Sequence, residues 1–253
     1  KSKMGISAAV LAYTAGMGIN LLWLIWILKK RLQWNFFRIQ RPTKKNWHNI
    51  LLMELNIIPV SLRSFVNIYL LSGLGAGIVT SYNYGMQIAL IPELMVISQV
   101  SAVSGIKFNE LSAQGRTDEI NTLFFKIMKM LLFALLPVAI LLFLISGELL
   151  QVLFTFKKNG DIGFITVIAA FMATFALTLP GRALDVVISS IMTAQQKIRQ
   201  GVVYAVFLHL SVILFTILAV YFFGLKGFYY IIPAVYIFYI PIFYLFFTKR
   251  VLP

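Results

Sequence analysis

Long apolar runs are the feature of this sequence that most restricts its fold. Runs of about 20 or more mainly apolar residues recur along the 253-residue chain, separated by short polar or glycine-containing segments. About 20 such residues form a helix that crosses the hydrocarbon core of a bilayer. Only 12% of the residues are charged, whereas soluble domains usually have about 25%. The chain therefore has too little polar surface for a soluble domain and is predicted to be an integral membrane protein.

The runs predict an all-α, polytopic membrane fold. Backbone polar groups in lipid must be satisfied internally, which leaves only helices and closed barrels. Barrel strands are segments of about ten residues with alternating polarity, and the runs here are longer and do not alternate. The prediction is about seven transmembrane helices, at approximately residues 4–28, 50–71, 79–106, 122–145, 164–194, 201–223 and 227–247.

The distribution of Lys and Arg predicts the orientation of these helices. The net charge is +14, from 22 basic and 8 acidic residues. If the basic loop 29–45 lies inside, alternation of the helices places 15 basic residues inside, five outside and two within helices. Cytoplasmic loops of membrane proteins carry this kind of excess. The positive charge therefore indicates membrane topology, and we expect membrane lipids rather than nucleic acid as partners.

Sequence motifs of common enzymes are absent. The chain has no cysteine and only two histidines, His48 and His209, too few for thiolate or histidine metal sites. It contains no GxxxxGK[ST] loop, no HExxH and no GxSxG. We therefore expect no catalytic residues, no cofactor and no metal.

Charged residues inside predicted helices are the candidate functional residues. A charge at the bilayer centre costs roughly 2.5–3.5 kcal/mol on insertion scales, so such a residue usually faces a bundle interior or a water-filled cavity. Arg63 is predicted to share a helix face with Asn56 and Asn67, which lie seven residues before it and four after it. Arg182 and Asp185 are three residues apart and can pair.

These residues allow two interpretations. In the functional one, polar stripes on three helices line a central cavity for an anionic headgroup, because arginine binds phosphate in a bidentate manner. In the structural one, Arg182 and Asp185 form an ion pair, and small residues allow close helix packing. We expect Glu93 to be structural rather than functional, and the aromatic residues of 222–247 to face lipid or the interface.

Two segments resemble a known family of transporters. Residues 81–92 (SYNYGMQIALIP), running on to 108–112 (FNELS), are similar to the eighth helix of MviN/MurJ-type lipid II flippases. Residues 179–181 (LPG), followed by 193–196 (TAQQ), are similar to the family's tenth helix and the short loop after it. The resemblance covers most of the chain. It implies membership of the multidrug/oligosaccharidyl-lipid/polysaccharide exporter superfamily.

The resemblance also implies a domain organisation. The seven helices would correspond to helices six to twelve of a longer protein with two lobes that rock around a central cationic cavity. Residues 1–49 would then hold the last helix of the first lobe and a cytoplasmic basic linker. Residues 50–253 would form the six-helix second lobe. The rest of the first lobe would be missing from this chain, which starts with Lys1 rather than Met.

The function implied by the resemblance is the flipping of a polyprenyl-diphosphate-linked glycan across the bacterial cytoplasmic (inner) membrane. Lipid II, a peptidoglycan precursor, is the expected substrate. Gln87 stands where the family usually has an arginine, so a related polysaccharide unit is an alternative. An ion-coupled small-molecule exporter, a non-transporting scaffold and a membrane enzyme are further alternatives. The expected substrate-binding residues are Arg63, Asn67, Asn83, Gln87, Arg182 and Asp185.

Overall fold

The structure, a computed structural model, describes residues 5–32, 43–55, 57–155, 162–242 and 245. All regular secondary structure in these ranges is helical, which confirms the all-α fold. The chain divides into two compact units, Lys1–Trp47 and His48–Pro253. The first contains helix α1, Gly5–Leu32, which is long and apolar enough to cross a membrane. The assignment of the two units to two transporter lobes remains a prediction.

After α1 the described elements are eight further α-helices and two π-helical segments. The helices, in chain order, are α2 Lys44–Leu55, α3 Ile57–Ser72, α4 Ile78–Ala89, α5 Ser98–Ala113, α6 Thr117–Thr155, α7 Ile162–Ala176, α8 Leu179–Ala194 and α9 Ile198–Ala234. The first π-helical segment, Glu93–Ile97, lies between α4 and α5, and the second, Val235–Tyr239, continues α9.

Four of the described helical stretches could each cross a membrane, and two bent pairs raise the number to six. The bent pairs are α4 with 93–113, at 40°, and α7 with α8, at 46°. The last long stretch, Ile198–Ile242, has 45 residues. At 1.5 Å per residue it is about 67 Å long, twice the roughly 30 Å of the hydrocarbon core. Gly224 divides it with non-helical dihedral angles, φ 58° and ψ −138°, so this stretch accounts for two of the predicted helices.

The predicted polar loops are shorter in the structure. Most of 107–121 is helical, because α5 and α6 are separated only by a turn. Backbone hydrogen bonds close this turn, from Gln114 to Glu110 and from Arg116 to Leu111, and Gly115 has a φ of 70°. Helix α6 likewise continues through much of the predicted loop 146–163. Hydropathy indicates where a helix leaves the hydrocarbon and does not indicate where the helix ends, which explains the difference.

Two hydrophobic clusters hold the second unit together. In the first, the rings of Tyr82, Phe171 and Phe228 meet edge to face, with centroids 5.5–5.9 Å apart, and join α4, α7 and α9. The second joins α5, α6 and α8 around residues such as Leu131 and Ile188. Edge-to-face aromatic pairs contribute about 0.5–1.5 kcal/mol beyond their buried area. The two clusters fix the helices that hold the polar residues of the second unit.

Candidate functional site

Four polar side chains from four different elements meet inside the second unit. Arg182 of α8 donates from Nε and Nη2 to the carboxylate of Glu93, with Nη2 3.2 Å from Oε1. The hydroxyl of Tyr236 lies 3.3 Å from Nη1 of Arg182 and 3.3 Å from Nη1 of Arg63, which lies on α3. Each guanidinium carbon is also 5.6 Å from the centre of the Tyr236 ring. One tyrosine therefore joins two cations from separate helices.

A proline lies one to four residues before each member of this cluster. Proline removes a backbone donor and interrupts the hydrogen-bond ladder of a helix. Glu93 and Tyr236 both lie in π-helical segments, which are often found at functional sites. Binding sites in transporters are frequently built from such discontinuous helices. The four prolines, in the order of Arg63, Glu93, Arg182 and Tyr236, are Pro59, Pro92, Pro180 and Pro233.

The structural interpretation paired Arg182 with Asp185, and that pairing is wrong. Arg182 uses Glu93 as its carboxylate partner, and no ion pair joins Arg182 to Asp185 in the described ranges. The carboxylate of Asp185 instead accepts a hydrogen bond from the Tyr204 hydroxyl of α9, at 3.1 Å. A bidentate contact with Glu93 provides two charge-assisted hydrogen bonds, whereas an i,i+3 pair on a helix contributes only about 0.2–0.5 kcal/mol. Arg182 therefore pairs with Glu93 of a different element rather than with Asp185 of its own helix.

The three amide residues that were predicted to bind substrate differ in how far their side chains are exposed to solvent. Asn67 is buried beside the Tyr82 hydroxyl, and its Oδ1 has no hydrogen-bond partner in the described part of the chain. Asn83 is half-buried and Gln87 is exposed. No side-chain hydrogen bond links either of them to an arginine among the residues that the structure describes. Asn56 lies outside the described residues. The substrate-binding role of these amides stays a prediction.

A cavity of about 320 Å³ adjoins the cluster between α3, α8 and α9. Asp185, Tyr204 and His209 line it together with the hydroxyl residues Ser189 and Thr193. Nδ1 of His209 is buried without a hydrogen-bond partner among the described atoms. The structure shows no group of three or more potential metal ligands within the described ranges. The cavity therefore presents a carboxylate, an imidazole and several hydroxyl groups to a ligand.

Sequence reasoning did not identify Glu93, Tyr204 or Tyr236 as site residues. Tyr236 was expected to face lipid or the interface with its aromatic neighbours, yet only 6% of it is exposed. Its π-helical segment adds a residue to the helical turn, which changes the face on which the following side chains lie. The pairing of each proline with a nearby polar residue was the available sequence signal for Glu93 and Tyr236.

Replacing Tyr236 by Phe removes the shared acceptor and keeps the aromatic ring. We expect a modest loss of stability, about 0.5–1.5 kcal/mol for each hydrogen bond, because the ring still lies against both guanidiniums. Thermal unfolding of the purified protein in detergent measures this loss. Tyr230, which is 73% exposed, provides the matched control. An equal change in Tm for Tyr236→Phe and Tyr230→Phe would contradict the prediction.

Charged side chains held among membrane helices, at interruptions of those helices, are typical of polytopic membrane transporters. The description of the matching protein family is lipid II flippase MurJ, and the match covers residues 2–252. The chain therefore belongs to the MurJ family of lipid II flippases, which are transporters of the inner membrane and not enzymes. Comparisons with curated proteins and with solved structures found no match.

Proposed function

We propose that this chain takes part in flipping a polyprenyl-diphosphate-linked glycan, with lipid II as substrate, by alternating access. Family membership supports a lipid-linked substrate. One observation supports the location of the binding site: Arg63 and Arg182 both donate a hydrogen bond to the hydroxyl of Tyr236. Two guanidiniums directed at one oxygen suit an anion with several acceptor oxygens, such as a diphosphate.

A diphosphate oxygen is a better acceptor for these arginines than a phenol. Hydrogen bonds between a guanidinium and a phosphate are charge-assisted and about twice as strong as neutral ones. Arg63 has no carboxylate within 4.0 Å in the described ranges, whereas Arg182 has Glu93. An anion that binds between them would therefore neutralise Arg63 and replace a weak contact. Asn67, Asn83 and Gln87 are proposed as neighbouring hydrogen-bonding residues.

The charges of the cluster favour this function over a small-molecule cation exporter. Such an exporter needs a free acidic group in its cavity. Glu93 is already engaged by Arg182, and Asp185 accepts a hydrogen bond from Tyr204. Asp185 also interacts electrostatically with both arginines, so a cation there would meet two like charges. We propose that Asp185 helps to hold the arginines in place beside the substrate.

Alternating access is proposed to use the interrupted helices. The bends of 40° and 46° lie next to Glu93 and Arg182, so a change in either bend moves a charged member of the cluster. Residues 50–253 are proposed to form one lobe, and α1 to be the last helix of the other.

Arg63→Gln tests the proposed function. Arg63 forms no ion pair with a carboxylate in the described ranges, so its replacement leaves no carboxylate without a partner. We therefore expect normal folding and insertion. We expect transport to fall on the order of 10- to 100-fold, because a hydrogen bond to a charged group contributes about 1.5–3 kcal/mol. The full-length protein is expressed in a bacterium depleted of its own flippase, and the precursor accessible at the outer surface is quantified.

Arg116→Gln is the control for loss of one positive charge. Arg116 is exposed and pairs with Glu119 at the turn before α6. We expect it to support wild-type transport. If Arg63→Gln accumulates in the membrane and exposes the precursor as fast as Arg116→Gln does, the site assignment is wrong. If the wild-type protein also inserts without exposing precursor, the proposed substrate is wrong.

A further inference from the structure

An apolar groove of about 570 Å³ lies along α6, and none of the residues that line it lines the polar cavity. Its walls are aliphatic and aromatic side chains of α6, the α7–α8 break and the second π-helical segment. Lys129 is the one charged residue among the described residues that line it. The groove begins beside Phe124 and Phe125 and continues to Ile140. The one charged side chain therefore lies nearer to the Phe124 end of the groove than to the Ile140 end.

The part of the groove from Lys129 to Ile140 matches the length of one leaflet of a bilayer. Lys129 and Ile140 are eleven residues apart on one helix, which corresponds to about 16 Å at 1.5 Å per residue. Half of a hydrocarbon core of about 30 Å is about 15 Å. If Lys129 lies at the headgroups, the groove reaches the bilayer midplane. The distribution of basic residues predicts that this end of α6 lies on the cytoplasmic side.

The ammonium group of Lys129 is available to a ligand. Lys129 is exposed, and it has no carboxylate within 4.0 Å among the described residues. A lysine near the membrane surface attracts anionic lipids of the cytoplasmic leaflet. The groove and the ammonium group together complement a molecule with one anionic phosphate and a chain about one leaflet long.

We propose that the groove binds one acyl chain of an anionic phospholipid, with the headgroup phosphate at Lys129. The chain would lie against Tyr236 and Gly181 at the floor of the groove. An added Cβ at Gly181 would overlap the backbone carbonyl of Tyr236, so these two elements are in close contact. The lipid therefore touches both elements that carry Tyr236 and Arg182, and its binding is linked to their packing.

The substrate's own polyprenyl chain fits this groove less well. Its diphosphate is proposed to lie at the arginines, whereas the only charged side chain that lines the groove in the described structure is Lys129, eleven residues before Ile140. A stretch of one leaflet's length that starts at Lys129 suits an acyl chain that starts at the headgroups. The proposal is independent of the substrate that the protein flips.

Native mass spectrometry of the purified protein tests the proposal with phosphatidylglycerol and phosphatidylcholine of identical acyl chains. We expect one phosphatidylglycerol to be retained with about fivefold preference, the effect of one lysine near an anionic headgroup. Lys129→Gln removes the preference. Lys126→Gln removes the same charge one turn earlier on α6, outside the groove, and keeps the preference. Equal retention of both lipids by the wild type would overturn the proposal, as would equal effects of the two substitutions.

A second pair of variants tests whether the acyl chain occupies the groove. Leu136 lines the groove and is 45% exposed, whereas Leu144 is 67% exposed on the same helix and does not line it. We expect Leu136→Trp to reduce retention of both lipids and Leu144→Trp to leave it unchanged. Equal retention by the two variants would place the lipid elsewhere. Displacement of phosphatidylglycerol by equimolar undecaprenyl phosphate in the wild type, but not in Leu136→Trp, would assign the groove to a polyprenyl chain and overturn the proposal.

Discussion

Replacing Arg182 by Gln is expected to lower the free energy of unfolding by about 3–5 kcal/mol, because it leaves a buried carboxylate without its partner. The side chains of Arg182 and Glu93 are only 25% and 18% exposed, and they form a bidentate contact between α8 and the first π-helical segment. Denaturant titration in mixed micelles, followed by far-UV circular dichroism, measures the loss.

The double variant Glu93→Gln/Arg182→Gln separates stability from transport. Removing both charges eliminates the unpaired carboxylate, which is the source of the penalty for breaking the pair. We therefore expect the double variant to recover most of the lost stability. Transport should stay low, because the guanidinium proposed to bind the diphosphate is still missing.

Two results would contradict this prediction in different ways. If the single variant is as stable as the wild type, the contact with Glu93 contributes little to the fold. If the double variant recovers transport together with stability, Arg182 has a structural role only, and the diphosphate site must be built from other residues. Precursor exposure at the cell surface and unfolding are measured on the same set of variants.

Gly85→Ala is expected to destabilise the second unit by about 1–3 kcal/mol or more, the usual cost of overpacking. An added Cβ at Gly85 would lie 2.6 Å from Cβ of Phe171, 2.8 Å from the carbonyl oxygen of Ile168 and 2.9 Å from the backbone nitrogen of Met172. Two of these atoms belong to the backbone of α7. The helices α4 and α7 would have to move apart, which disturbs the aromatic cluster around Phe171.

Gly105→Ala is the matched control on the neighbouring helix. No atom lies within 4 Å of the Cβ that this substitution adds, and alanine is favoured over glycine in a helix interior by up to about 1 kcal/mol. We expect its Tm to equal or exceed that of the wild type, while the Tm of Gly85→Ala falls. Similar Tm values for the two variants would show that α4 and α7 can separate without cost.

Much of the fold was predictable because the bilayer imposes simple rules. The apolar runs predicted the helical membrane fold, and the proline-glycine pair at Pro180 lies at the bend that the structure shows between α7 and α8. Helix ends were less predictable. The helix α6 starts at Thr117 and ends at Thr155, well beyond the hydrophobic run, because polar residues in water remain helical.

The candidate site was predictable only in part. Arg63 and Arg182 were identified because a charged residue in an apolar helix costs free energy on membrane insertion. Such a residue therefore usually has a functional or structural role. One interpretation paired Arg182 with Asp185, whereas its carboxylate partner is Glu93, which lies 89 residues away in sequence. Periodicity relates residues within one helix. It contains no information about which face of a different helix will lie opposite.

The amino-acid sequence by itself determined that this protein is a helical membrane protein with isolated cations inside its spans, because hydrophobic length and the cost of burying charge are local properties. Tertiary structure alone decided that two of those cations share the hydroxyl of Tyr236. That arrangement depends on the relative rotation of helices far apart in the chain. The π-helical segments at Glu93 and Tyr236 add a residue to a helical turn and so change the face on which these side chains lie.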